Sequence, residues 1–206
     1  MTDAAARAAR DDLAFLKAVA EDRGPLPAIL GAHLLAVGLA FAPNLVLCWA
    51  IFSGRADWWP ASLSWATWLP GVALWLPAYL YLQVRGHGRG GFGPSARVFA
   101  AAWGAMGLMT VATLALFAVA QSATGQAYFQ IWPAFGFVLW GGAWAVVAII
   151  RKRLWLGGIA LASFALGVGC AALLRSPEVW LAMAAGLLLV FALPGAVILR
   201  LAPRAD

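Results

Sequence analysis

Six long apolar stretches, 26–52, 63–83, 98–120, 128–150, 154–174 and 179–201, take up most of the chain, and none contains an Asp or a Glu. Each exceeds the roughly 20 residues that a helix rising about 1.5 Å per residue needs to cross a hydrocarbon layer of about 30 Å. In such a layer every backbone N–H and C=O must be satisfied from within, which leaves helices or a closed barrel. The apolar runs are continuous rather than alternating, so they read as helices. With 64% hydrophobic and 11% charged residues, a soluble catalytic domain has no room beside them. The expected fold is all-α: a polytopic membrane bundle of six transmembrane helices arranged as three hairpins. An arm (1–25) precedes the membrane domain (26–201), and a short tail (202–206) follows it.

The basic residues orient this bundle. Arg85, Arg89 and Arg97 follow the second stretch, Arg151, Lys152 and Arg153 the fourth, and Arg200 and Arg204 close the chain. The alternate loops hold only Arg55 with Asp57 and Arg175 with Glu178. The positive-inside rule then puts both termini in the cytoplasm of a bacterial-type inner membrane. The net charge of +6 follows from this topology, so nucleic acid is not an expected partner.

The N-terminal arm, 2–23, sets Leu13, Phe15, Leu16 and Val19 on one helical face and Arg7, Arg10, Asp11, Lys17 and Glu21 mostly on the other. It reads as an amphipathic helix ended by Gly24-Pro25. Five acids against four bases leave it nearly neutral. It therefore suits the membrane interface or a partner membrane protein better than strong attraction to anionic lipid.

Catalytic chemistry has few carriers. All eight acids lie outside the apolar stretches, which removes carboxylate-coupled transport and paired-carboxylate catalysis. His33 is the single histidine in a stretch, and Asn44 follows 11 residues later, on the same helical face and about 16 Å along the axis. One imidazole does not supply bis-histidine haem ligation. No catalytic set, metal site or cofactor is expected. Arg85 to Arg97 contains G-x-G-x-x-G at Gly86, Gly88 and Gly91, but it joins two membrane stretches and lacks the strand-to-helix setting that dinucleotide binding requires. Cys48 and Cys170 read first as small buried residues. Ala100 and Gly104, Gly158 and Ala162, and Ser163, Gly167 and Ala171 form small-residue ridges suited to close helix packing, within one chain or between copies.

The aromatic residues are the remaining signal. Trp49, Trp58, Trp59, Trp65 and Trp180 fit an interfacial belt. Trp75, Trp140 and Trp144 lie deeper. Trp68, Val72, Trp75 and Tyr79 repeat at helical spacing in the second stretch, beside Pro70 and Pro77. Trp132, Gly136, Trp140 and Trp144 do so in the fourth. These two stripes are expected to face each other and to line a pocket for a hydrophobic small ligand or a lipid. The candidate ligand-binding residues are Trp68, Trp75, Tyr79, Trp140 and Trp144, with His33 and Asn44.

Two resemblances add to this. DDLAFLKAVAEDRGPLPAILGAHLL, 11–35, resembles the start of uncharacterised small polytopic proteins of bacterial membranes over about the first quarter of the chain. The tryptophan content is similar to that of the tryptophan-rich sensory proteins of the translocator family, which bind porphyrins and sterols. That family has five helices and a tryptophan-proline pattern that does not map onto this chain, so no site residue is carried over. The expected function is that of a non-enzymatic accessory or regulatory membrane subunit, with an oligomeric channel or facilitator protomer as the alternative.

Overall fold

The computed structural model describes residues 26, 28–60, 66–87, 94–125 and 128–202, together with 5, 7, 10–14 and 17 of the arm; for 82–87, 94–100 and 129 it describes the backbone. Every regular element among them is helical. The described arm positions are helical and exposed, but most of the expected amphipathic helix lies outside the described residues. So do Trp65, the glycine-rich stretch 88–93 and the end of the tail, 203–206.

The helices are α1 (Ala28–Phe52), α2 (Trp68–His87), α3 (Pro94–Thr124), α4 (Trp132–Arg151), α5 (Leu154–Ala172), α6 (Glu178–Leu187) and α7 (Leu193–Leu201). A 3-10 turn, Tyr128–Ile131, leads into α4, and a π segment, Leu188–Ala192, joins α6 to α7. Among the described residues five helices are long and apolar enough to cross a membrane: α1, the Ala101–Thr124 part of α3, α4, α5 and the continuous Glu178–Leu201 rod. The chain is thus a membrane-embedded helical protein. The second expected span is the exception. Its helix begins at Trp68 rather than at 63, and its Trp, Tyr and Pro residues, with Gln83 and Arg85 in the last turns, lower its hydropathy.

Local chemistry explains the breaks. Lys152 adopts left-handed backbone (φ 49°) and Arg153 an extended one, so α4 and α5 are joined by a two-residue turn. Gly125, at φ 70°, closes α3 by giving its N–H to the Gln121 carbonyl at 2.8 Å; an αL residue just past a helix end is glycine's usual place. The π segment precedes Pro194, which has no N–H for the carbonyl four residues back and whose ring crowds that carbonyl. The widened turn bonds the Leu193 N–H to the Leu188 carbonyl, five residues back, and the rod continues unbroken.

The centre of the bundle is α1 against the α6–π–α7 rod, with α4 and α5 paired beside it. The rod approaches α1 closely. A Cβ on Gly38 would lie 2.7 Å from the Ala192 backbone nitrogen, and one on Gly31 would lie 2.8 Å from the Gly195 carbonyl oxygen. Without a water-driven hydrophobic effect between helices, close backbone approach is what holds them together. The α4–α5 pair uses the same device. Gly167 lies against the Ala134 carbonyl and Gly141 against the Phe164 ring, while the buried Ser163 hydroxyl donates to the Phe137 carbonyl at 2.8 Å. The ridge expected on α5 is therefore partly internal, whereas Gly104 and Gly158 face open space. The outer helices are α2, which packs on α1, and α3, which packs on α4.

Candidate functional site

The two halves of the expected aromatic surface occupy different places. Trp140 and Trp144 of α4 belong to the bundle core. The Trp140 ring meets Phe137, Trp132 and Phe191 edge to face at 5.0–6.2 Å, and the Trp144 ring meets Trp103 of α3 at 5.2 Å. Trp144 and Phe137 are fully buried, so this stripe packs α4 against α3 and the π segment. The expectation that it faces Trp68, Trp75 and Tyr79 is replaced by core packing. The reason is topological: α2 turns back onto α1, and α4 turns onto α5.

Trp68, Trp75, Tyr79, His33 and Asn44 lie instead along the α1–α2 seam. Gly71 permits this arrangement, because a Cβ there would collide with the Asn44 amide nitrogen. Val72, expected on the stripe, points outward, and Gly71 takes its place in the seam. The seam has two unlike halves. Toward the end where α2 begins, its polar groups are buried and bonded. The Asn44 amide donates to the Ala40 carbonyl at 3.1 Å, and the Cys48 thiol and Thr67 hydroxyl share a hydrogen bond at 3.1 Å. The Asn44 bond lies within α1, whereas the Cys48–Thr67 bond ties α1 to the start of α2, a contact between membrane helices that contributes roughly 0.6–2 kcal/mol.

Toward the end where α1 begins, the seam is built of half-buried rings. The His33 ring lies 6.0 Å from Trp75 and 5.4 Å from Tyr79, tilted on both, and Trp75 stacks on Tyr79 at 5.2 Å. Phe41 touches Trp75 and Trp68 from the other side. The Trp75 indole nitrogen is buried and has no hydrogen-bond partner among the described residues. His33 and Asn44 share the seam, as their 11-residue spacing anticipates.

The remaining candidates have structural roles. Phe52 stacks on Trp180 at 5.8 Å and Arg55 sits 4.4 Å over the Trp49 ring, tying the end of α1 to the start of α6 and to its own loop. Cys48 and Cys170 are both buried and unbridged. Among the described residues no three His, Cys, Asp or Glu side chains gather as a metal site. Sequence reasoning missed Phe41, Thr67 and Gly71 in the seam and Trp103 and Phe191 in the core. For Gly71 a signal was present: Trp68, Gly71, Trp75 and Tyr79 follow the three- and four-residue steps of one helical face. Comparison with protein-family models, with curated proteins and with solved structures finds no match to this chain.

Proposed function

We propose that this protein is a non-enzymatic accessory or regulatory subunit of a bacterial-type inner membrane, which holds a hydrophobic ligand or lipid in the ring-lined half of the α1–α2 seam. The observation that carries this reading is the unpartnered Trp75 indole N–H beside His33 and Tyr79, at the half-buried edge of the bundle. A buried donor without an acceptor costs about 1–3 kcal/mol, and a ligand acceptor removes that cost. Six spans with both termini cytoplasmic suit this reading, α2 completing the first hairpin. The basic residues at 85–97, 151–153 and 200 support that topology. The channel alternative draws on α3, whose membrane-length part, Ala101–Thr124, leaves nearly all of its residues partly or fully exposed. Its exposed face carries Leu108, Val111, Leu116 and Val119, a lipid-facing set rather than a polar pore lining, so the accessory reading is preferred.

The test is purification in mild detergent followed by native mass spectrometry. The expected spectrum has the chain carrying a small apolar adduct or a partner membrane protein, with the adduct lost in Trp75→Ala. A bare monomer at every protein concentration contradicts the proposal.

A further inference from the structure

Building on the ligand site proposed above, we infer that its ligand is a lipid-soluble planar ring compound bearing a carbonyl acceptor, of the quinone class, bound by the Trp75 indole N–H and the His33 imidazole against the Tyr79 ring.

Three observations point to this chemistry. The first is the contrast along one seam: Asn44, Cys48 and Thr67 have closed their hydrogen bonds within the protein, whereas the Trp75 N–H has not. Indole donates and does not accept, so the missing group is an acceptor. The second is the surroundings of that donor. Its ring neighbours are His33, Phe41 and Tyr79, whose flat faces and edges favour a flat ligand. The third is location. His33 lies in the first turns of α1 and Tyr79 in the second half of α2, both half-buried at the edge of helices that face lipid, so entry is from the bilayer rather than from water.

A neutral acceptor fits better than a carboxylate, because the ring neighbours of the Trp75 donor, His33, Phe41 and Tyr79, bring no fixed positive charge and burying an unpaired charge is costly. A carbonyl satisfies the indole without that cost. His33 offers a second hydrogen-bonding group, a donor or an acceptor according to its tautomer. A ring carrying two carbonyls, or a carbonyl and a hydroxyl, can engage both. Such a ring enters by displacing the His33 and Tyr79 side chains that pack around Trp75. The ring neighbours of Trp75 are side chains rather than backbone, α2 packs on α1, and Pro77 removes one backbone bond from the α2 ladder at this level.

The test is equilibrium dialysis of a decyl-substituted benzoquinone against the full chain in lipid nanodiscs, with empty nanodiscs subtracted. Saturable binding near one equivalent per chain is expected. Trp75→Phe keeps a ring and removes the donor, and should weaken binding about three- to tenfold, the worth of one neutral hydrogen bond. Trp180→Phe, at the other end of the bundle, should bind like the wild type, and decylbenzene, which lacks the acceptor, should not compete. Thermal melting of each variant in the same discs confirms that the fold is kept. Unchanged affinity in Trp75→Phe, or full competition by decylbenzene, overturns the inference. An apolar adduct in native mass spectrometry that Trp75→Ala loses, together with no quinone binding, overturns the carbonyl assignment and leaves the accessory reading standing.

Discussion

Replacing Gly195 by Leu is expected to leave little folded protein. A Cβ at Gly195 would lie 2.6 Å from the Gly31 carbonyl oxygen and 3.0 Å from the Leu35 Cα, and these are backbone atoms that cannot rotate aside. The only relief is to separate α7 from α1, which also opens the contact at Gly38 and Ala192. Overpacking a core costs about 1–3 kcal/mol and more where backbone must move. Replacing glycine within a helix recovers up to about 1 kcal/mol of propensity, too little to reverse the sign even for Gly195→Ala. Gly104 and Gly158 provide the contrast, because neither has a heavy atom within 4 Å of the added Cβ. Alanine at those positions should be neutral or slightly stabilising. Denaturation in mixed micelles, followed by far-ultraviolet circular dichroism, reads all of these variants.

Phe137→Ala is expected to destabilise the bundle by about 3 kcal/mol, the lower end of the range for large aromatic truncations in soluble cores. The lower end applies because part of what a membrane core loses is regained by lipid contact, leaving mainly the packing term. Phe137 is fully buried, exposed to neither lipid nor solvent. It lies over Gly186, beside Trp140, and its carbonyl accepts the Ser163 hydroxyl. Truncation therefore leaves a cavity where α4, α5 and α6 meet. Trp58, 73% exposed, is the matching control, and Trp58→Ala should leave folding stability within about 0.5 kcal/mol. The same denaturation series measures both.

The apolar stretches made most of the helices legible, because hydropathy and length are local properties. Stretches 26–52, 154–174 and 179–201 correspond closely to α1, α5 and the α6–π–α7 rod. The second stretch was less legible, since tryptophan, tyrosine and proline serve membrane proteins without scoring as apolar. Helix pairing was the least legible part. Small residues mark close approach, but Gly31, Gly38 and Gly195, outside the ridges named from the sequence, make tight contacts, while Gly104 and Gly158, which carry the every-fourth-residue cue, make none. Spacing identifies a face and does not say which helix covers it. The aromatic stripe of α4 shows the same limit: Trp132, Trp140 and Trp144 share a buried face, as the period indicates, yet the groups they meet come from α3 and the π segment. The π segment itself had one cue, Pro194, inside an otherwise unbroken apolar run.

The seating of α2 on α1 decides where the candidate site lies, and proximity labelling in native membranes tests it most directly. With Cys48 and Cys170 replaced by Ala, paired substitutions His33→Cys with Tyr79→Cys, and Tyr79→Cys with Trp144→Cys, would be treated with a short thiol-bridging reagent. The account predicts efficient bridging of 33 to 79, whose rings lie 5.4 Å apart, and none between 79 and 144. Bridging of 79 to 144 with 33 and 79 left unlinked would return the site to α2 and α4 and contradict the account.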